Sequence, residues 1–181
     1  MANGIGVVGA GGWGTALAKL LADRGEHVTL WCHGADSFRE LHERRENLTY
    51  LPGIALPANI EVTQSLDETL NGKSLVICAV PSHAVREVFS AAIGKVPTTA
   101  MLLCGTKGLE EGSLKTMGEL LLDILGHDRK KDLAFLSGPT FASEVARQRP
   151  AAVTVAAYDE KAAKSIQEIF STPNFRVYTS Q

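Results

Sequence analysis

An α/β fold, a doubly wound and mostly parallel sheet with helices on both faces, is predicted by three features of this 181-residue chain. Short apolar runs recur at Ile5–Val8, Val28–Trp31, 75–80, 100–104, 133–136 and 152–156. They are continuous rather than alternating, as strands buried on both faces require. Stretches of helical period lie between them, and strands that alternate with helices are expected to reach their parallel neighbours by right-handed crossovers. Directly behind the first run stands a glycine turn, Gly9-Ala10-Gly11-Gly12-Trp13-Gly14, which makes the arrangement Rossmann-like.

The elements follow in order. Gly9, Gly11 and Gly14 have the G-x-G-x-x-G spacing, in which the glycines serve a tight turn, backbone approach to a pyrophosphate, and close packing of helix on strand. Trp13, Leu17, Leu20 and Leu21 then recur at i, i+4, i+7 and i+8, predicting a helix over 13–24 that Gly25 stops. After the second strand a helix is expected over 35–46. The stretch 47–60, with Pro52-Gly53 and Pro57, reads as a long surface loop. Pro81 ends the third strand, and Ser82 is placed to cap a helix over 83–92. The fourth strand leads to a helix over 114–125. A polar connection, 126–132, follows, whose Arg129-Lys130-Lys131 reads as a solvated turn. The fifth strand runs into Ser137-Gly138-Pro139-Thr140, where Ser137 or Thr140 is expected to cap a helix over 141–147. A sixth strand and a helix over 159–170 complete a single domain of a size that buries one core.

Eighteen basic and 20 acidic side chains are mixed along the chain, for a net charge of −2. Neither a nucleic-acid footprint nor attraction to an anionic membrane follows from that balance, so a diffusible small molecule is the expected partner. No basic segment leads into an apolar leader, and no run approaches the ~20 residues that span a bilayer, so a soluble, cytoplasmic protein is expected. Cys32, Cys78 and Cys104 lack C-x-x-C spacing and sit in or at the end of apolar runs. They read as small buried hydrophobes, with neither a disulfide nor a metal site expected.

In open α/β sheets ligands bind beyond the carboxyl ends of the strands. The pyrophosphate of a dinucleotide is therefore expected on free N–H groups at the start of the first helix, behind Gly9, Gly11 and Gly14. After the second strand, Trp31-Cys32-His33-Gly34 offers no acid to a ribose hydroxyl pair. His33 in that place favours NADPH and leaves NAD use open; an exposed loop histidine is the alternative. Pro81 and Ser82 stand where a helix start lines the cofactor. Lys107, bracketed by Gly105 and Gly108, projects from the end of the fourth strand, where an ammonium suits an anionic substrate or a developing alkoxide. The 137–142 segment offers hydroxyls and backbone N–H groups at the same edge, suited to a second anion or to the nicotinamide end.

Together these pieces resemble the NAD(P)-dependent glycerol-3-phosphate dehydrogenases, particularly the bacterial type. The resemblance runs along nearly the whole chain. It is carried by Gly9-Ala10-Gly11-Gly12-Trp13-Gly14-Thr15-Ala16-Leu17-Ala18, Asn47-Leu48-Thr49-Tyr50-Leu51-Pro52-Gly53, Ala79-Val80-Pro81-Ser82, Thr106-Lys107-Gly108-Leu109-Glu110 and Ser137-Gly138-Pro139-Thr140-Phe141-Ala142. It implies reversible hydride transfer between NAD(P)H and dihydroxyacetone phosphate, giving sn-glycerol 3-phosphate for phospholipid synthesis, and a homodimer of the full-length protein. At matching positions Gly12, Trp13, His33, Tyr50, Lys107 and Ala142 are implied cofactor contacts, and Lys107, Gly138 and Thr140 meet the substrate. The family often has serine at the places of Gly12 and Thr106 and arginine near Cys32 and His33, departures that bear on cofactor preference.

A helical C-terminal domain follows in this family, and a Lys-Asn motif in it supplies the lysine that acts as general acid. Residues 1–181 are accordingly expected to be the dinucleotide-binding domain, with that lysine beyond Gln181 and no catalytic residue of its kind within the chain. Alone they are expected to bind NAD(P)H and turn over negligibly. Two other readings stay open. A 3-hydroxyacid or ketopantoate type of two-domain dehydrogenase would take a carboxylate substrate, against which Thr106-Lys107-Gly108 and the 47–53 segment argue. A non-catalytic NAD(P)-sensing module would lack the second domain by nature.

Overall fold

The computed structural model of the protein describes residues 4–180, so the ends of the expected 1–181 domain lie outside the described residues. The elements in order are β1 (Ile5–Val8), α1 (Gly12–Asp23), β2 (Val28–Trp31), α2 (Ala35–Arg44), β3 (Glu46–Asn47), β4 (Leu51–Ala55), β5 (Ile60–Thr63), α3 (Leu66–Leu70) and β6 (Leu75–Cys78). A 3₁₀ turn, Ser82–Ala84, leads into α4 (Val85–Ala91), then β7 (Met101–Cys104), α5 (Met117–Leu125) and a second 3₁₀ turn, His127–Asp132. The chain continues through β8 (Leu133–Ser137), α6 (Ala142–Ala146), β9 (Ala151–Ala157), α7 (Glu160–Phe170) and β10 (Phe175–Ser180).

Eight strands form one sheet in the order β10-β9-β8-β7-β6-β1-β2-β5. Neighbours pair in parallel except β8 and β9, where Ser137 lies opposite Thr154 and Ala134 opposite Ala157. The link over 138–150 holds only the five-residue α6, packed on α1, and the chain enters β9 from the edge at which it left β8. That pair departs from the all-parallel crossovers expected of interleaved helices.

Strand residues alternate between two apolar layers. Val7, Ile77 and Leu103 share a core with Leu17 and Leu21 of α1, Val145 of α6 and Ile166 and Phe170 of α7. Val8, Val76, Leu102 and Cys104 join Phe89 of α4 and Leu120 and Leu121 of α5 on the other face. Both faces of the sheet are therefore dry, which is why its strands read as unbroken apolar runs.

Several local expectations are corrected. Residues 47–60 are not a plain loop: β3 and β4 form an antiparallel ribbon, with Glu46 opposite Ala55 and Asn47 opposite Leu51, that buries Leu51 and Ile54. Pro52 is tolerated there because a two-stranded ribbon leaves one side of each strand unpaired. Arg129 is not solvated. It is 7% exposed, and its guanidinium donates to the Ala100 carbonyl at 2.7 Å and pairs with Asp132 at 3.0 Å. Neither Ser82, Ser137 nor Thr140 caps a helix: Pro81 precedes the 3₁₀ turn and Phe141 precedes α6, both without a side-chain cap bond. The helix expected over 114–125 starts at Met117, where Thr116 and Glu119 form a capping box. Strands β5 and β10 and helix α3 add to the elements expected from sequence.

Candidate functional site: a glycine turn at the head of a cleft

The glycine turn joins β1 to α1 at the middle of the sheet. Gly9 adopts φ +118°, and a Cβ on it would lie 2.7 Å from the Ala79 carbonyl of the neighbouring strand end. Gly14 packs the helix against the turn so closely that a Cβ would stand 1.8 Å from the Gly9 carbonyl oxygen. Gly11 differs from both: a Cβ there would meet no atom within 4 Å. It precedes α1 without a side-chain cap, and no acidic residue occupies the first turn, so the positive end of this 12-residue helix is left uncompensated. A side-chain-free turn before unpaired helix N–H groups fits the pyrophosphate of a dinucleotide.

Gly12 is crowded from outside the turn. Its Cβ would lie 3.0 Å from the Tyr50 carbonyl and 3.7 Å from the Ala142 side chain, so these three sequence-predicted residues meet. Asn47 sets the position of Tyr50. It is 2% exposed, and its amide donates to the Ala10 carbonyl at 2.9 Å and to the Thr15 hydroxyl at 2.8 Å, while its oxygen accepts from the Tyr50 N–H at 3.0 Å. One buried side chain thus pins the β3–β4 ribbon to the glycine turn, with the Tyr50 ring left 61% exposed.

A cleft of about 520 Å³ opens beside the turn, lined by Gly9, Gly11, His33, Tyr50 and Pro81 among the predicted residues. As expected of the helix start after the third strand, Val80, Pro81 and His83 line the cleft, and the wall goes on into residues the sequence reading did not single out: Leu66, Ala84 and Val88 extend its apolar side, with Ser37 and Glu87 at polar positions. The signal for that part of α4 is the Ala84, Val88, Ala91 spacing of i, i+4, i+7. His33 is exposed, its ring 5.9 Å from that of Trp31. Glu87 is the one acid among the described lining residues and stands on α4, away from the end of β2.

Gly12, Trp13, Gly14, Lys107, Gly138, Thr140 and Ala142 lie outside that lining. Trp13 points its indole towards the end of β7, where a Cβ on Gly105 would be 3.0 Å from Nε1. Nε1 is the one buried side-chain nitrogen or oxygen without a hydrogen-bond partner among the described residues. Lys107 is exposed and donates to the Gly138 carbonyl at 3.2 Å, bringing two predicted substrate residues together. Gly138 itself admits no side chain, since a Cβ would lie 2.8 Å from the Ala152 carbonyl. Thr140 is half-buried beside Phe141, which is 71% exposed.

Two charged or ionisable groups flank this edge. Glu110 takes a two-pronged bond from Arg86, at 2.5 and 2.9 Å, and another from the Ser113 hydroxyl. Those partners hold its carboxyl well below the usual range, at about 2. Cys78 and Cys104 are register partners on β6 and β7, both 2% exposed, with their sulfurs directed at Thr106. The hydrogen bond from Cys78 to Cys104, with burial, holds the Cys78 thiol up. No group of three or more histidine, cysteine or acidic side chains suited to a metal ion occurs among the described residues. No helix among them is long and apolar enough to cross a membrane.

Comparison with known proteins agrees with this geometry. The glycerol-3-phosphate dehydrogenase [NAD(P)+] of Geobacter sp. (strain M21) is 44% identical over 178 residues, 98% of this chain and 53% of that protein. That of Anaeromyxobacter sp. (strain K) is 45% identical over 174 residues, 96% of this chain and 52% of its own length. The chain thus spans about half the length of the curated relatives it matches. Among solved structures, glycerol-3-phosphate dehydrogenase from Coxiella burnetii superposes with a TM-score of 0.92 at 33% identity, covering 99% of this chain and 54% of that one. The family model described as the N-terminus of NAD-dependent glycerol-3-phosphate dehydrogenase matches residues 4–163, and the chain belongs to that family.

Proposed function

We propose that this chain is the cofactor-binding part of an enzyme that interconverts dihydroxyacetone phosphate and sn-glycerol 3-phosphate with NAD(P)H, in the cytoplasm, for glycerophospholipid synthesis. The single observation that carries the proposal is the open turn at Gly11, set before the uncapped start of α1 and lining the cleft. Gly9 and Gly14 shape that turn, and the first N–H groups of α1 would take the pyrophosphate. The apolar side made by Val80, Ala84 and Val88 suits the adenine, and His33, in place of an acid, favours NADPH over NADH. Tyr50, Pro81 and Ala142 would border the cofactor along its length, and Gly12 keeps the passage between Tyr50 and Ala142 narrow.

When bound, the dihydronicotinamide supplies a hydride. The chain's own share is to fix where that ring lies and to keep water from it. Trp13 directs a dry indole N–H towards the end of β7, and Lys107, held at the Gly138 carbonyl, would meet an anionic substrate together with Gly138 and Thr140. The relatives named above are about twice as long, so turnover is proposed for a protein of that length and cofactor binding for these residues.

Fluorescence titration with NADPH and with NADH, each with and without dihydroxyacetone phosphate, tests the reading. Saturable binding of both, tighter for NADPH, is expected. Absence of binding to either nucleotide defeats the proposal, and tight binding of NADH alone defeats the part assigned to His33.

A further inference from the structure

Lys107 lies in the loop over 105–116, between two glycines, one of which, Gly108, adopts φ +109°. A lysine stem on such a loop is not placed by its own backbone, and among the described residues its exposed ammonium has the Gly138 carbonyl at 3.2 Å as its one hydrogen-bond partner. What does place it is a pair of clamps on either side. Upstream, the Thr106 hydroxyl donates to the Val80 carbonyl at 2.7 Å. Downstream, Glu110 receives both prongs of Arg86 at 2.5 and 2.9 Å, with Ser113 as a third donor. Between the clamps the loop passes so near Ser82 that a Cβ on Gly108 would lie 3.4 Å from its hydroxyl oxygen. The Thr106, Gly108 and Glu110 contacts with Val80, Ser82 and Arg86 all reach one segment, 80–86, and that segment walls the cleft through Val80, Pro81, His83 and Ala84.

We infer that the Arg86–Glu110 ion pair is a positioning pair for Lys107, tying the loop that carries it to the wall of the cofactor cleft. The inference rests on the reading of Lys107 as a cofactor contact. Arg86 and Glu110 are not catalytic residues: neither lines the cleft. Glu110 is suited to the task because its side chain is only 11% exposed and both its carboxylate oxygens are engaged by the Arg86 fork, so the bond has one geometry rather than many. Arg86 is anchored in turn by Asp123 at 3.7 Å, on α5, so the clamp joins α4, α5 and the Lys107 loop. Filling the cleft presses on α4, and the pair passes that constraint to Lys107.

Lys107 reactivity measures this in the chain as it stands. Trace acetic anhydride labelling, read by peptide mass spectrometry, is compared with and without saturating NADH, with Lys164 as reference because it pairs with Glu160 on α7, remote from the loop. In the unaltered chain NADH is expected to slow labelling of Lys107 relative to Lys164 by about fivefold or more, within the ordinary range of coupling between sites. In Glu110→Gln, NADH still binds and that protection of Lys107 is lost; Arg86→Lys, which keeps the charge but not the fork, gives the same loss if Glu110→Gln does not fold. The exchange Arg86→Glu with Glu110→Arg restores protection. Full protection of Lys107 in a folded, NADH-binding Glu110→Gln or Arg86→Lys overturns the inference while leaving the cofactor reading intact. Saturable NADH binding with no protection in the unaltered chain overturns instead the role of Lys107, and the inference with it. A merely structural brace would lower the melting temperature without changing Lys107 protection at saturation.

Discussion

Replacing Gly11 by alanine separates ligand contact from folding, and Gly14 supplies the control. Gly11 stands at φ −69°, ψ 179°, extended backbone open to any residue, and an added methyl meets nothing within 4 Å. Gly11→Ala therefore folds, and narrowing the unfolded ensemble stabilises it by about 0.4–1 kcal/mol, a rise in Tm of roughly 1–4 °C for a domain of this size. The same methyl occupies the space in front of α1. Losing one charge-assisted hydrogen bond there costs about 1.5–3 kcal/mol, or roughly 10- to 150-fold in Kd. In Gly14→Ala the new Cβ would fall 1.8 Å from the Gly9 oxygen and 3.1 Å from the Ala79 Cβ, and α1 must move off the sheet. Overpacking of that kind costs about 1–3 kcal/mol, a Tm lower by roughly 2–12 °C. Differential scanning fluorimetry and NADPH titration on the two variants make the comparison. Wild-type affinity in a folded Gly11→Ala protein would refute the assignment of the Gly11 turn to a pyrophosphate.

Other expectations follow from the same geometry. Asn47→Ala strands the Tyr50 N–H and leaves the Ala10 carbonyl and the Thr15 hydroxyl with only their mutual 3.3 Å bond among the described residues; thermal denaturation should show a loss of about 1–3 kcal/mol, and nucleotide titration a weaker cofactor as Tyr50 loses its seat. Arg129→Met leaves the Ala100 carbonyl without its donor, and urea unfolding should register a similar cost of about 1–3 kcal/mol, which a solvated residue would not incur. Glu110 gives a pH signature. Its carboxyl lies at about 2 in the fold against 4.5 ordinarily, so its contribution is complete above pH 4.5 and fades as pH falls towards 2. The acid limb of a Tm-against-pH curve should flatten over that window in Glu110→Gln. Burial pushes the Cys32 thiol up to about 11, so an aromatic disulfide reagent at pH 8 should leave Cys32 unmodified until the protein unfolds.

The parts of this fold that were legible in sequence are those fixed by local pattern. The Ile5–Val8 run and the glycine spacing after it specify a buried strand and a tight turn without help from elsewhere, and Leu17 and Leu21 announce the face that α1 buries. What was hidden depends on partners distant in sequence. Asn47 reads as one more polar residue before a proline-rich stretch, and only its bonds to Ala10 and Thr15, 37 and 32 residues away, make it a pin. Arg129 sits in a basic triplet that any solvated turn could have, yet the Ala100 carbonyl 29 residues earlier draws it inside. Strand β5 was lost because Ile60–Thr63 carries Glu61 in a run of four after Pro57, and its pairing with β2 supplies what propensity does not. The cleft followed the same division: its glycine head was readable, and its α4 wall required the sheet order to bring it there.

That sheet order has a consequence for how the protein is made. Among the described strands β1 is the earliest in the chain, yet it lies inside the sheet, between β2 and β6. Its second neighbour begins at Leu75, so for the 67 residues from Gly12 to Cys78, or ~3–13 s at ordinary rates of synthesis, β1 can be only the apolar edge of a partial sheet with β2 and β5. Through that interval the Ala79 carbonyl, against which Gly9 is packed, does not yet exist. The nascent chain must carry an open, all-apolar strand edge until β6 closes it, and that is the stage at which it is most exposed to association with other chains.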